Sequence, residues 1–296
     1  QAEDGIRDLV RSRGLGDVYK RQDLVIGTYD NTTLYYLNNG NDTFAAGTYI
    51  VTDAIELRAV MLADMDGDGT LDVVAGVNGK NLLFLNTGAA APFTDVVGVP
   101  ISDDLGNTLS LTAADVSGNG ALDLIVGNNA VNRLYKNPGL SRRSYGILTE
   151  NISADAAVTY SLAVGDVDGD GYLDVVAGNN GINQLYLNTG LASPFEGVTA
   201  LNVGVETDDT RSLALGDLNR NGRLDLVVGN LGVNRVYFNN GAANPFGGVT
   251  PENVSADAHD THALVLDDVS GNGYPDIVAG NDGVNRVYLN QGVTVV

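Results

Sequence analysis

The 296-residue sequence contains no cysteine and no tryptophan, and only 2 histidines. Without cysteine there is no disulfide framework, no thiolate metal site and no cysteine nucleophile. Basic residues are scarce as well: 16 Lys and Arg stand against 37 Asp and Glu, for a net charge of −21. Such an acidic surface repels phosphate backbones and anionic lipid, so nucleic acid and membrane surfaces are not expected partners. No apolar run reaches the ~18 residues a spanning helix needs, and the start shows no basic segment followed by an apolar stretch. No membrane span is expected, and any export signal is expected to lie outside the sequence. What is abundant is glycine, at 38 residues, within a chain that is 44% apolar. That composition allows a sizeable core built from small residues and many turns.

Residues 1–22, QAEDGIRDLVRSRGLGDVYKRQ, hold five of the 16 basic residues (Arg7, Arg11, Arg13, Lys20 and Arg21) and repeat nowhere later. The run DVYKRQ, ending at Gln22, resembles a translated sequencing-library adaptor. The segment is expected to be non-native, with a genuine basic arm as the alternative, and the natural N-terminus is expected to be missing. Residues 23–296, with 11 basic and 33 acidic side chains and a net charge of −22, are expected to form a single domain.

That domain repeats. The segments DMDGDGTLD, DVSGNGALD, DVDGDGYLD, DLNRNGRLD and DVSGNGYPD begin at Asp64, Asp115, Asp166, Asp217 and Asp268, 51 residues apart each time. Each leads into a short apolar run ending at Gly76, Gly127, Gly178, Gly229 or Gly280, and DLVIG at Asp23 is a sixth copy of that run. A second run follows each: LYYLN, LLFLN, RLYKN, QLYLN, RVYFN and RVYLN. Runs this short, rich in Val, Leu, Ile and Tyr and bounded by Gly and Asn, read as strands. One period holds four, near 160–165 (A), 173–178 (B), 184–188 (C) and 198–203 (D). Four strands in about 50 residues make one β-propeller blade, and the near-continuous apolar B strands suit sheets covered on both faces. The fold class is therefore an all-β propeller, with repeats starting near residues 23, 57, 108, 159, 210 and 261. Six repeats leave two possibilities, an imperfectly closed ring or part of a seven-bladed one. A β-solenoid is the runner-up, disfavoured by the long period.

The loop pattern D-x-[DNS]-x-[DN]-G-x-x-D places side-chain oxygens at positions 1, 3, 5 and 9, with glycine at 6 for the reversal. This is a cage for a hard cation, and calcium suits it better than magnesium because calcium accepts 6–8 oxygens at flexible distances. A helix-loop-helix site would need Glu at position 12, where this chain has Ala75, Val126, Ala177, Val228 and Ala279. One such loop alone would read as a good turn, but five at identical spacing point to cation ligands.

These loops resemble the FG-GAP or VCBS repeat family, calcium-loop propeller repeats also found in integrin α-subunits, over Asp23 to the C-terminus. The resemblance implies one calcium per loop between strands A and B, up to five ions. Carried over, the ligands are Asp64, Asp66, Asp68 and Asp72; Asp115, Ser117, Asn119 and Asp123; Asp166, Asp168, Asp170 and Asp174; Asp217, Asn219, Asn221 and Asp225; and Asp268, Ser270, Asn272 and Asp276. The position-7 carbonyls of Thr70, Ala121, Tyr172, Arg223 and Tyr274 complete the sets. The first and third loops offer four carboxylates and the others two, while Ser117 and Ser270 are short enough to need a bridging water.

Elsewhere, the Asn-rich segments after each B strand read as hairpin turns. Tyr135, Tyr186, Tyr237 and Tyr288 are expected to pack between blades, and Arg133, Arg235 and Arg286 to pair with carboxylates. The D-to-A segments vary, among them Asp103 to Asn107, Asp155 to Tyr160, Asp208 to Arg211 and His259 to His262. They are expected on the face opposite the calcium loops, as a second surface. His259, Asp260 and His262 could suggest a metal or acid-base group, against the simpler reading of an exposed polar loop. The favoured function is an extracellular calcium-binding module, one monomeric part of a larger secreted or surface protein, that binds a protein or glycan without catalysis. The alternatives are a lyase-like enzyme, using His259 or His262 as base and Arg211 as cationic stabiliser, and a lectin. The sequons at Asn31, Asn41, Asn151 and Asn253 carry little weight in so Asn- and Thr-rich a chain.

Overall fold

A computed structural model gives the fold, and it describes residues 23–28, 32–41, 43–51, 56–139 and 148–292. The divergent segment 1–22, the Asn31 sequon and residues 293–296 lie outside these. Among the described residues all regular structure is β. The first unit holds β1 (Leu24–Gly27), β2 (Thr33–Tyr36) and β3 (Thr48–Val51). The second holds β4 (Leu57–Ala63), β5 (Asp72–Gly79), β6 (Leu82–Phe84) and β7 (Val99–Pro100). The third holds β8 (Gly106–Ala114), β9 (Asp123–Lys136) and the start of β10 (Leu148–Gly165), whose end opens the fourth. The fourth continues with β11 (Asp174–Asn179), β12 (Asn183–Tyr186) and β13 (Leu201–Val203). The fifth has β14 (Thr210–Gly216), β15 (Asp225–Asn230), β16 (Arg235–Tyr237) and β17 (Glu252–Asn253); the sixth has β18 (Thr261–Asp267), β19 (Asp276–Asn281) and β20 (Arg286–Tyr288).

Within each unit the strands pair antiparallel in sequence order, as in Gly165↔Asp174, Val176↔Leu185 and Leu185↔Leu201. These are the four strands the sequence predicts, within a few residues. Two elements differ from expectation. β9 runs unbroken through the B and C regions, and β10 serves first as a D strand against β9 and then as an A strand against β11. The register against β9 shifts between Asn151 and Ala156, that pairing continues to Val158, and pairing with β11 begins at Thr159. β10 thereby joins the third and fourth units, pairing of β5 with β8 adds the second to the same sheet, and no described strand pairing joins the first unit to the last.

The core lies between blades. Side chains alternate across a strand, so Val175 and Ala177 pack back onto Ile125 and Leu134 of the third unit, while Val176 packs forward onto Leu226 and Val228 of the fifth. The same division recurs at Val73 and Ala75 against Val74. This is why the B strands are apolar without alternation: both faces are inside. The tyrosines sit there as expected, with Tyr135, Tyr186 and Tyr237 buried and Tyr288 partly so. Phe93, Phe195 and Phe246 seal the seams from the outer loops, each against the preceding unit; the ring of Phe93 meets Tyr35 edge-on at 5.7 Å. Phe195→Ala is expected to lower stability by about 3–5 kcal/mol, through lost burial and a cavity. A shift in the urea midpoint without a change in slope would measure it.

Candidate cation sites

Each candidate loop joins an A strand to a B strand, and glycine makes the joint. Gly67 and Gly69 take φ of 71° and 87°, and the pair recurs at Gly118 and Gly120, Gly169 and Gly171, and Gly271 and Gly273. The fourth loop has Arg220 at the first of these positions, also left-handed at 59°, with its guanidinium over the Tyr274 ring of the next loop at 4.2 Å. Position 4 therefore needs positive φ as well as position 6, which the sequence pattern alone does not disclose.

The backbone reversal aims N–H groups at carboxylates. Position 1 accepts on both oxygens: Asp64 from Asp68 N at 3.0 Å and Gly69 N at 2.9 Å, and Asp217 from Asn221 N at 2.9 Å and Gly222 N at 2.8 Å. Asp115 and Asp268 do the same in their loops, and Asp166 accepts from Gly169 N at 2.8 Å and Gly171 N at 3.0 Å. Position 9 opens the B strand and is wholly buried in all five. Asp72 accepts from Met65 N at 3.0 Å and Asn86 N at 2.8 Å, and Asp174 from Val167 N and Asn188 N, both at 2.8 Å. Asp123, Asp225 and Asp276 are held likewise, with Ser117 N and Ser270 N as donors in the loops that carry serine at position 3. Burial pushes the Asp72 carboxyl up to about 7 and Asp174 to about 6, against the lowering effect of these backbone bonds. Asp123 and Asp225 are raised for the same reason.

In the first and third loops positions 1, 3 and 9 converge. One carboxylate oxygen each from Asp64, Asp66 and Asp72 lies within 4.8 Å of the others, and Asp166, Asp168 and Asp174 form the same triad. Position 5 does not join them. It is exposed and closes a tight turn on position 7: Asp68 accepts from Thr70 N at 2.9 Å, Asn119 from Ala121 at 2.8 Å, Asp170 from Tyr172 at 2.9 Å, Asn221 from Arg223 at 2.9 Å and Asn272 from Tyr274 at 2.8 Å. Asn219, at position 3 of the fourth loop, accepts from Asn221 N at 3.1 Å. Ser117 Oγ is buried facing the Asp123 carboxyl without a hydrogen bond of good geometry, an oxygen at a ligand position with acceptor capacity to spare. Three convergent carboxylates form an oxygen donor set that could hold a divalent metal ion.

At the opposite ends of the strands, the B-to-C turns and D-to-A segments do meet, through the bridges Asn180↔Asp209 and Leu231↔Asp260. These segments are hairpin turns, as expected, with glycine taking the positive φ. Gly181, Gly232 and Gly283 hold that conformation, and the asparagines supply bonds, as Asn179 N to Asn183 Oδ1 at 2.8 Å and Asn183 Nδ2 to Thr210 Oγ1 of the next unit at 3.0 Å. Arg235 pairs with Asp208 at 2.8 Å and Arg286 with Asp257 at 3.5 Å, whereas Arg133 bonds the Asn151 amide. Arg211 is paired with Asp209 at 2.7 Å and lies over the Tyr160 ring at 3.7 Å. Among the described residues His259, Asp260 and His262 belong to no metal-sized cluster, and His262 is exposed. Sequence reading also passed over the asparagines that end each C strand, Asn86, Asn137, Asn188, Asn239 and Asn290; their 51-residue recurrence was the available signal.

No curated protein sequence matches this chain. Among solved structures, an Agrocybe aegerita lectin that recognises non-reducing terminal N-acetylglucosamine is similar at 20% identity and TM-score 0.57, covering 92% of this chain and 81% of the lectin. BBS1N, solved in complex with ARL6DN, is similar at 13% identity and TM-score 0.59, covering 96% of this chain and 82% of that one. At such identities the likeness is one of fold. The FG-GAP-like repeat matches residues 20–75, 64–126, 115–177, 166–228 and 217–279. The chain therefore belongs to the FG-GAP-like repeat family, as five successive repeats of an all-β propeller.

Proposed function

We propose that this chain is an exported, calcium-binding propeller that acts as a binding or adhesion module for an extracellular protein or glycan, as a monomeric part of a larger protein. The observation that carries the cation reading is the pair of three-carboxylate triads, Asp64–Asp66–Asp72 and Asp166–Asp168–Asp174, each gathered within 4.8 Å in loops 102 residues apart. Crowded carboxylates repel one another, and a divalent cation relieves that repulsion. Ions in all five loops would bring residues 23–296 from −22 to −12. Loops with few carboxylates need high free calcium, which extracellular fluid supplies, and that supports export. Among the described residues no helix is long and apolar enough to cross a membrane.

The calorimetric expectation is two classes of site. The loops at Asp64 and Asp166 should fill at roughly ten-fold lower calcium than the three with two carboxylates, because ligand charge sets affinity. Five equivalent sites, or none, would sink the assignment. For the partner, a glycan array and a panel of extracellular matrix proteins, each probed with calcium and with chelator, should show calcium-dependent capture. The sugar-binding reading draws support from the lectin likeness and is distinguished by a glycan hit without turnover. The lyase reading predicts turnover lost in His262→Ala; with Arg211 already engaged by Asp209 and Tyr160, it is the less favoured.

A further inference from the structure

Neighbouring cation loops are connected by the side chain of one asparagine, buried at three of the four seams and partly buried at Asn290. We propose that Asn137, Asn188, Asn239 and Asn290 are positioning residues that couple adjacent loops, so that filling one loop raises the affinity of the loop before it. This rests on the calcium reading above and specifies which residues transmit between sites.

At the seam between the third and fourth loops, Asn239 N donates to Asp225 Oδ1, position 9 of the fourth loop, at 2.9 Å. Its Nδ2 donates to Leu224 O in that loop at 3.1 Å and to Val167 O of the third loop at 2.7 Å. Val167 stands between the position-1 and position-3 carboxylates, Asp166 and Asp168, and its own N–H donates to Asp174 Oδ2 at 2.8 Å. Asn239 Oδ1 accepts from Gly241 N at 2.9 Å, so the amide has one possible orientation. Asp225 and Asp174 are fully buried, Val167 is 3% exposed and Asn239 4%. Away from water these bonds are stiff and costly to leave unmade.

The arrangement recurs at every described seam of this kind. Asn137 Nδ2 reaches Met65 O at 2.8 Å, Asn188 reaches Val116 O at 2.9 Å and Asn290 reaches Leu218 O at 2.8 Å, always position 2 of the preceding loop. The five loops thus stand in series. An ion in the fourth loop fixes Asp225, and with it the Asn239 amide and the Val167 peptide, so the third loop is partly ordered before its own ion arrives. Ordering shared in this way gives positive coupling, and the coupling is reciprocal. A purely structural brace would alter stability but would not make one loop's affinity depend on its neighbour's occupancy.

Tyr172, at position 7 of the third loop, makes the test site-specific, because tyrosine sensitises terbium(III) emission and the chain has no tryptophan. In a Tyr274→Phe background, terbium emission excited through tyrosine reports the third loop, with calcium as competitor. Asp217→Ala, which disables the fourth loop, should weaken third-loop terbium affinity about five-fold. In Asn239→Ala protein the same change should have less than about two-fold effect on affinity. Third-loop affinity indifferent to Asp217→Ala, or equally sensitive with and without Asn239, overturns the coupling. A background protein with no saturable emission overturns the calcium reading itself, and the coupling with it. Melting curves establish that each variant is folded; if Asn239→Ala is not, Asn239→Ser takes its place, and the Asp217→Ala arm decides by its own outcome.

Discussion

Asp174→Ala should lower the stability of the calcium-free protein by about 2–6 kcal/mol, whereas Asp170→Ala, in the same loop, should lower it by less than about 1 kcal/mol. Both are candidate ligands, yet the fold uses them differently. Asp174 is fully buried and accepts Val167 N and Asn188 N, so its removal strands two buried donors, each worth about 1–3 kcal/mol when unpaired. Asp170 is exposed and accepts from Tyr172 N at 2.9 Å, a donor that water can satisfy once the carboxylate is gone. Chemical denaturation in chelator separates the two. Equal losses would mean that the position-9 carboxylate is not the anchor described above. In saturating calcium the Asp170 variant should also lose stability relative to the parent, since a weakened site is stabilised less by the same ion concentration.

Acidity and calcium should act in opposite directions. The Asp72 carboxyl titrates near 7 and Asp174 near 6 in the fold, against 3.8 unperturbed, so the folded state holds protons that the unfolded chain has released. Stability in chelator should therefore fall as pH rises from about 4 through about 7, by a few kcal/mol across that window. Calcium needs the carboxylates ionised, so with the ion present the trend should reverse over the same range. At pH 6.5 binding should release about one proton per molecule, read by calorimetry in buffers of different ionisation enthalpy. Binding without proton release would place the ion away from Asp72 and Asp174.

Much of this was legible in the sequence because it is periodic. The 51-residue spacing of Asp64, Asp115, Asp166, Asp217 and Asp268, and the apolar run after each, disclose the blade, its B strand and the loop between A and B. Less visible was whatever depends on backbone direction. Asp68 and Asp170 sit in the ligand pattern, but a local turn to position 7 is available to them and they take it. Arg220 stands where the other loops have glycine, and only the fold shows that left-handed φ is required there. Thr159, Thr210 and Thr261 lie in segments that read as variable surface, yet each is fully buried and bonded to an asparagine of the preceding unit. Asn137, Asn188, Asn239 and Asn290 recur every 51 residues, but no residue pattern announces a bond across 72 positions, and what these amides reach is seen only once two blades lie side by side.

That 72-residue reach has an evolutionary corollary. It equals one whole unit plus a constant 21 residues, so inserting or excising a complete 51-residue module returns every amide to a carbonyl of the same kind. An indel of another length inside a paired strand puts donors and acceptors out of phase at its seam, whereas one in an exposed loop leaves them in place. Duplication in whole modules is thus a change of size this architecture absorbs without new seam chemistry, and a lineage would lengthen or shorten its propeller by copying blades intact.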